Sequence, residues 1–159
     1  MKKSLAALGM AAIAACATAG GGKMNGVQQQ MQVEANNGKV MVKMTVTNGT
    51  AAPVYVAKAV FQADQLFGRA FDITHLDSAA PVDYIGPMVK RGPPTAADFM
   101  AIKPGATHSH AIDITRSYDF KSGTHRYQLR FAGNYLGNLA RLDTASRAVV
   151  APVTFSFTK

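Results

Sequence analysis

The chain has 159 residues, of which 48% are hydrophobic, so it is large enough for one domain with a packed core. Its formal net charge of +8 falls to +6 when Lys2 and Lys3 are subtracted with a signal peptide, and this basic charge favours an acidic partner. We expect no nucleic-acid partner, because the charges are dispersed and no nucleic-acid-binding pattern is present. The only cysteine, Cys16, cannot form an internal disulfide, so packing alone must hold the fold.

Residues 1–19 are typical of an export signal. Two lysines precede an apolar run over residues 5–15 that is too short to span a bilayer as a mature anchor. Two cleavage sites remain open. IAAC, which ends at Cys16, resembles a bacterial lipobox that would make this cysteine the lipidated first residue, whereas the ATA that follows suits ordinary signal peptidase. We expect a protein of the cell envelope, lipid-anchored in the outer membrane or periplasmic, or a secreted one.

Residues 20–26 are rich in glycine and are expected to form a flexible tether, and residues 27–159 are expected to form the folded domain. In this domain the hydrophobic pattern has period two, which predicts strands, and almost no helical periodicity. The predicted strand segments are VQQQMQVEANNGK (27–39), KVMVKMTVTNGT (39–50), PVYVAKAVF (53–61), AFDITHL (70–76), THSHAIDIT (107–115), THRYQLRFAG (124–133) and PVTFSF (152–157).

The alternation assigns faces in four segments. Val40, Val42, Met44 and Val46 share one face of a half-buried strand. His108, His110, Ile112 and Ile114 share one side of another strand, and the two histidines are expected on a partly exposed face. His125, Tyr127, Leu129 and Phe131 share one side of a third. Val153, Phe155 and Phe157 are expected to point inward, and Phe131 and Phe155 are expected to be core residues. The first segment is more polar and reads as an edge strand that ends in a turn at 36–38. About seven short strands predict an all-β fold, an antiparallel immunoglobulin-like β-sandwich, with a barrel as the alternative. SYDFKSGTHRYQLRF favours the sandwich, since it resembles the E–F corner of such folds.

The segment YIGPMVKRGPPTAADFMAIKPG, residues 84–105, breaks this pattern. Its prolines and glycines exclude a helix or a central strand. We expect a loop that is stiffened by its aromatic residues and prolines and that presents a basic pair to an acidic partner at low ordering cost. The predicted partner-binding residues are Tyr84, Lys90, Arg91, Pro93, Pro94 and Phe99. The alternative is that the two basic residues are simply solvated.

This segment and the AIDITRSYDFKSGTHRYQLRF that follows it resemble the non-catalytic N-terminal domain of the deuterolysin and peptidyl-Lys metalloendopeptidase family of zinc proteases. The matching motifs are Tyr84 and Gly86, residues 89–92, Pro94, Asp98-Phe99, Pro104-Gly105, Asp113, Tyr118-Asp119 and Gly123. The resemblance covers residues 45–131, and VTNGTAAPVYVAKAVF fits its early strand, turn and strand. His125 stands where the family has an aromatic residue, which leaves the register of that strand open.

The zinc-binding motif of those proteases, His-Glu-x-x-His, is absent from this sequence. The resemblance therefore implies a prodomain without its protease, and we expect no enzymatic activity. His108 and His110 could present two imidazoles to one metal from a strand, but no third ligand is apparent, so we expect no metal or other cofactor. Asp98, Asp113 and Asp119 are expected to make turn and strand-end hydrogen bonds.

Two functions remain open. The chain can be an exported binding module that docks on the catalytic domain of a zinc metalloendopeptidase, as an inhibitor or a folding helper. Alternatively, it is an envelope-anchored structural β-sandwich lipoprotein with an unrelated protein partner, held in the membrane through Cys16. An enzyme is the weakest interpretation, because no nucleophile, base or metal set can be named.

Overall fold

The computed structural model describes residues 26–159, so the predicted signal peptide, the predicted lipidation site Cys16 and most of the predicted tether lie outside the described residues. Almost all regular structure in the described part is antiparallel strand. The strands are β1 (Val27–Asn36), β2 (Lys39–Asn48), β3 (Val54–Ala57), β4 (Asp72–His75), β5 (Phe99–Ile102), β6 (Thr107–Asp113), β7 (Thr124–Arg130), β8 (Asn134–Leu136), β9 (Ala145–Arg147) and β10 (Val153–Thr158). One four-residue helix, α1 (Lys58–Phe61), and a 3₁₀ turn, Ala96–Asp98, interrupt them.

The first sheet has the order β1-β2-β6 and confirms the predicted hairpin. Asn37 (φ 50°) and Gly38 (φ 70°) form its two-residue turn, and positive φ at both positions is what a type I′ turn needs. β2 lies in the centre, and the face that Val40, Val42, Met44 and Val46 share is fully buried. β1 lies at the edge, as its polar composition predicts.

The second sheet has the order β10-β7-β4 and contains the predicted corner. The hydroxyl of Tyr127 accepts a hydrogen bond from the backbone N–H of Lys121, six residues upstream, at 3.2 Å. This is the tyrosine corner of immunoglobulin-like sandwiches. The open register of β7 is also settled, since His125 pairs with Phe157 and its ring packs near that of Tyr127.

The third sheet, β5-β3-β8-β9, accounts for most of the difference from the prediction. β5, β8 and β9 were not predicted, which raises the count in the described residues from about seven strands to ten. The strand predicted over residues 53–61 is wrong in its second half, where α1 begins at Lys58. Val60 and Phe61 are consecutive and both buried, and a helical turn can bring two consecutive side chains to the same core, whereas consecutive strand residues point to opposite faces.

The three sheets enclose one core, and each of them remains open at its edges, so the fold is a sandwich and not a closed barrel. The largest fully buried side chains are Tyr118, Tyr127, Phe61, Phe71, Phe120, Met44 and Leu66. Phe131, Phe155 and Val153 point inward as predicted, but they are only partly buried and pack against the margin of the core.

Candidate interaction loop

Residues 84–98, here called the basic loop, are fastened to the sandwich at their start. Tyr84 forms an isolated β-bridge with Tyr118. The backbone N–H groups of Ile85 and Gly86 both donate to the carbonyl of Ser117, at 2.9 and 3.2 Å. The chain therefore enters the loop from a short ladder on the segment before β7.

The side chain of Tyr84 closes the first turn of the loop. Its hydroxyl lies 2.7 Å from the carbonyl oxygen of Pro87 and 3.1 Å from that of Leu66, so its single proton is donated within the loop or to the neighbouring segment. A Cβ at Gly86 would lie 2.7 Å from the hydroxyl oxygen, so a larger residue there would displace the Tyr84 ring from this position. Burial raises the pKa of Tyr84 above its ordinary value.

The end of the loop is fastened by a capping box. The backbone N–H of Thr95 donates to Asp98 Oδ2 at 2.8 Å, and the Thr95 hydroxyl lies 3.1 Å from the same oxygen. These hydrogen bonds, with a smaller contribution from Arg91, hold the pKa of Asp98 below its ordinary value. Arg91 Nη1 lies 3.6 Å from Asp98 Oδ1, and Lys58 Nζ donates to the Ala97 carbonyl at 2.8 Å, which ties this end to α1.

Between these two ends the loop exposes apolar side chains. Met88 is 79% exposed, Ile85 59% and Val89 51%. The backbone N–H of Val89 donates to the carbonyl of Phe67 at 3.3 Å, which brings a further exposed aromatic ring beside the loop. Exposed large apolar side chains collected on one surface are typical of interaction sites.

The six predicted partner-binding residues have different roles in this geometry. Tyr84 and Phe99 are half-buried and belong to the support, since Phe99 starts β5. Pro93 and Pro94 are exposed. Arg91 is held by its ion pair with Asp98, whereas Lys90 has no ion pair or side-chain hydrogen bond to any residue from 26 to 159.

Sequence reasoning missed the apolar residues of the loop. Ile85, Met88 and Val89 do not alternate, and they stand among glycines and prolines that exclude them from a core strand. This combination could have predicted their exposure, because apolar residues outside a segment with two-residue alternation are not assigned to the buried face of a strand.

His108 and His110 do not face each other as free ligands. The Nε2 of His108 lies 2.7 Å from the carbonyl oxygen of Phe61, and that of His110 lies 2.8 Å from that of Ala63, so both donate to backbone carbonyls. They tie β6 to α1 and the residues after it. Within the described part of the chain, no three His, Cys, Asp or Glu side chains are grouped so that they could hold a metal ion.

The other two histidines form a chain of hydrogen bonds. His125 Nε2 donates to the Ser122 carbonyl at 2.8 Å, which leaves its Nδ1 to accept from His75 Nε2 at 3.1 Å. His75 Nδ1 is buried and has no partner among residues 26–159. Asp113 accepts from the backbone and hydroxyl of Thr115, which confirms its predicted turn role.

The sequence matches no family model, and no curated protein matches it. Among residues 26–159, no helix has the length and hydropathy needed to cross a bilayer.

Proposed function

We propose that this chain is a non-catalytic binding module that docks through the basic loop on the catalytic domain of a zinc metalloendopeptidase, as an inhibitor or a folding helper. One observation carries the binding role. A loop fastened at both ends presents exposed Ile85, Met88 and Val89 next to a lysine without an ion pair in the described residues. The protease is proposed as the partner because the sequence around this loop resembles the family's non-catalytic domain.

The support of the loop favours binding because it lowers the entropic cost of docking. Tyr84, the capping box and the Arg91–Asp98 ion pair restrict the backbone before any partner arrives. A surface that is already ordered loses less conformational freedom on association, so more of the contact energy appears as affinity. The exposed apolar side chains supply contact area that is desolvated on docking.

In this proposal, Lys90 is the residue that determines which protease the loop recognises. Peptidyl-Lys members of the resembling family are expected to have an acidic specificity pocket, and an exposed lysine in an ordered loop can enter it much as a substrate lysine would. Arg91 has a different part, since its ion pair with Asp98 keeps it within the loop. The basic pair thus divides into a contact residue and a positioning residue.

The test measures the affinity of the mature protein for the catalytic domain of a deuterolysin-like protease from the same organism, together with residual peptidase activity. Lys90→Ala should weaken binding by about tenfold, which corresponds to about 1.4 kcal/mol, and should flatten the dependence on salt. Lys43→Ala, an exposed lysine on β2, is the matched control and should leave the affinity unchanged.

Two results would contradict the proposal. If the wild-type protein binds no such protease, the envelope-anchored structural sandwich with an unrelated partner takes its place. If the purified protein hydrolyses peptides after zinc is added, it is not a non-catalytic module.

A further inference from the structure

The outer edge of β1 forms one wall of a groove that contains no residue of the basic loop. The groove has a volume of about 550 Å³ and lies between residues 27–32 and the segment that leads into β10. Val149, Ala151 and Val153 line its other side, and Val149 is 96% exposed. Among residues 26–159, β1 is hydrogen-bonded to β2 on one side and to no strand on the other.

The hairpin register shows which backbone groups face this groove. Asn36 pairs with Lys39 across the two-residue turn, and in such a hairpin the closing pair exchanges its backbone hydrogen bonds. Hydrogen-bonded pairs then recur at every second residue. At the other end of β1, the Gly49 N–H donates to the Gly26 carbonyl at 2.8 Å, and Gly26 is even-numbered like Asn36. The even-numbered residues of β1 therefore bond to β2.

The odd-numbered residues turn their backbone groups outward. The N–H and C=O groups of Val27, Gln29 and Met31 point to the groove, and none of them has a backbone partner in the described part of the chain. They are spaced two residues apart, which is about 6.8 Å along an antiparallel strand.

Gln29 adds a second, independent sign of a missing ligand. Its side chain is 3% exposed, and its Nε2 donates to the carbonyl of Gly133 at 3.2 Å. Its Oε1 is buried and receives no hydrogen bond from any residue between 26 and 159. An unpaired buried acceptor is uncommon in folded proteins, and this one belongs to a residue that lines the groove.

The chemistry of the groove identifies the class of ligand. Backbone donors and acceptors that repeat every two residues are matched by another extended polypeptide. No charged side chain lines the groove, and Val149, Ala151 and Val153 lie two residues apart, at the spacing of side chains on one face of a strand. Residues 27–32 also contain no lysine, proline or bulge, the features that normally protect an edge strand from pairing.

We propose that this groove binds an extended, uncharged polypeptide segment of a partner protein, which adds to the first sheet as a strand beside β1. Apolar side chains of the segment alternate toward Val149, Ala151 and Val153. This site is separate from the basic loop and does not depend on the proposed protease partner.

The test uses ¹⁵N-labelled mature protein and a capped peptide in which valine alternates with threonine over seven residues, followed by two lysines for solubility. Hydrogen exchange is followed by NMR with and without the peptide. The amides of Val27, Gln29 and Met31 should exchange at least about tenfold more slowly in the complex, whereas those of Gln28 and Gln30, already bonded to β2, should change little. The same peptide with N-methyl groups on alternate amides should bind at least about tenfold more weakly.

Val149→Asp should weaken binding of the peptide by a similar factor, because it places a charge on the uncharged wall without touching the core. Ala111→Asp, on the exposed face of β6, is the matched control and should leave binding unchanged. No binding at millimolar peptide, or equal binding of the N-methylated peptide, would overturn the proposal. A third result would also overturn it. If the odd-numbered β1 amides exchange slowly in the free protein and sedimentation gives twice the monomer mass, a second copy of the chain occupies the edge.

Discussion

Tyr84 and Tyr118 lie edge to face, with ring centroids 5.4 Å apart, yet they stabilise different regions of the molecule. Tyr118 is 1% exposed, and its hydroxyl accepts from the N–H of Phe71 at 3.0 Å and donates to the carbonyl of the same residue at 2.8 Å. Tyr84 is half-buried and bonds to carbonyls at the base of the basic loop. The same side-chain chemistry thus holds the core in one region and the basic loop in the other.

The two regions differ in how a substitution affects the stability of the domain. The aromatic core around Tyr118 is buried and continuous, so a change there acts on the free energy of unfolding of the whole domain. The basic loop is joined by a few exposed polar contacts, so a change there loosens the loop and leaves the sandwich folded.

The largest effect is expected at Phe120. Its ring is 1% exposed and packs against those of Tyr118, Tyr127 and Phe157. Phe120→Ala should lower the free energy of unfolding by about 3–5 kcal/mol, measured by urea denaturation. Phe155→Ala is the comparison, because Phe155 is only partly buried and should cost less. Equal losses for the two variants would show that the margin of the core is as tightly packed as its centre.

A smaller effect is expected from alkali. Burial raises the pKa of Tyr118 from 10.0 to about 12, whereas in the unfolded chain the hydroxyl ionises near its ordinary value. The stability that the neutral hydroxyl provides is therefore complete below pH 10 and is lost as the pH rises to about 12. Two pH units correspond to a loss of about 3 kcal/mol at most.

Tyr118→Phe provides the control for the alkaline loss. It should already be less stable at neutral pH, by about 1–3 kcal/mol, because the backbone groups of Phe71 lose their partner. Urea denaturation from pH 9 to pH 12 should then bring the two proteins closer together. If the free energies of unfolding of the two proteins fall in parallel over this pH range, Tyr118 has the same pKa in the folded and unfolded states.

The sequence predicted those parts of the fold that depend on a local pattern. Two-residue alternation identified seven of the ten strands in residues 26–159, and Asn37-Gly38 identified the hairpin. The shorter strands β8 and β9 could not be found in this way, since strands of three residues are defined by their partners. Tyr55 pairs with Leu136, 81 residues further along the chain, and nothing near either residue encodes that contact.

The candidate site was predicted as a segment supported by Tyr84, Phe99 and its prolines, but Lys90 and Arg91 were not distinguished from each other. Lys90 and Arg91 are neighbours of the same charge, so local reasoning treats them as a pair. The structure separates them because the 3₁₀ turn brings Asp98 back to Arg91. The β1 groove was missed for a similar reason, since residues 27–32 and 149–153 meet only through the folding of both sheets.

The smallest effect is expected at the end of the basic loop. Hydrogen bonds from Thr95, with help from Arg91, hold the pKa of Asp98 below its ordinary value of 3.8, so the carboxylate supports the loop at neutral pH. This support is present above pH 3.8 and is lost as the pH falls through the lower pKa of the folded state. In an NMR titration, the Thr95 amide resonance should therefore move with a midpoint below 3.8, and in Asp98→Asn it should not move.

At pH 7 the same variant should bind the protease domain more weakly than wild type, with little change in melting temperature, because only the loop is loosened. Asp72→Asn is the control, since Asp72 is an exposed carboxylate that pairs with Arg69 at 3.0 Å outside the loop. Two results would show that the capping box is not a local support: unfolding of the domain by Asp98→Asn, or a midpoint above pH 4 for the Thr95 amide resonance. In either case the distinction between the core and the loop fails at this position.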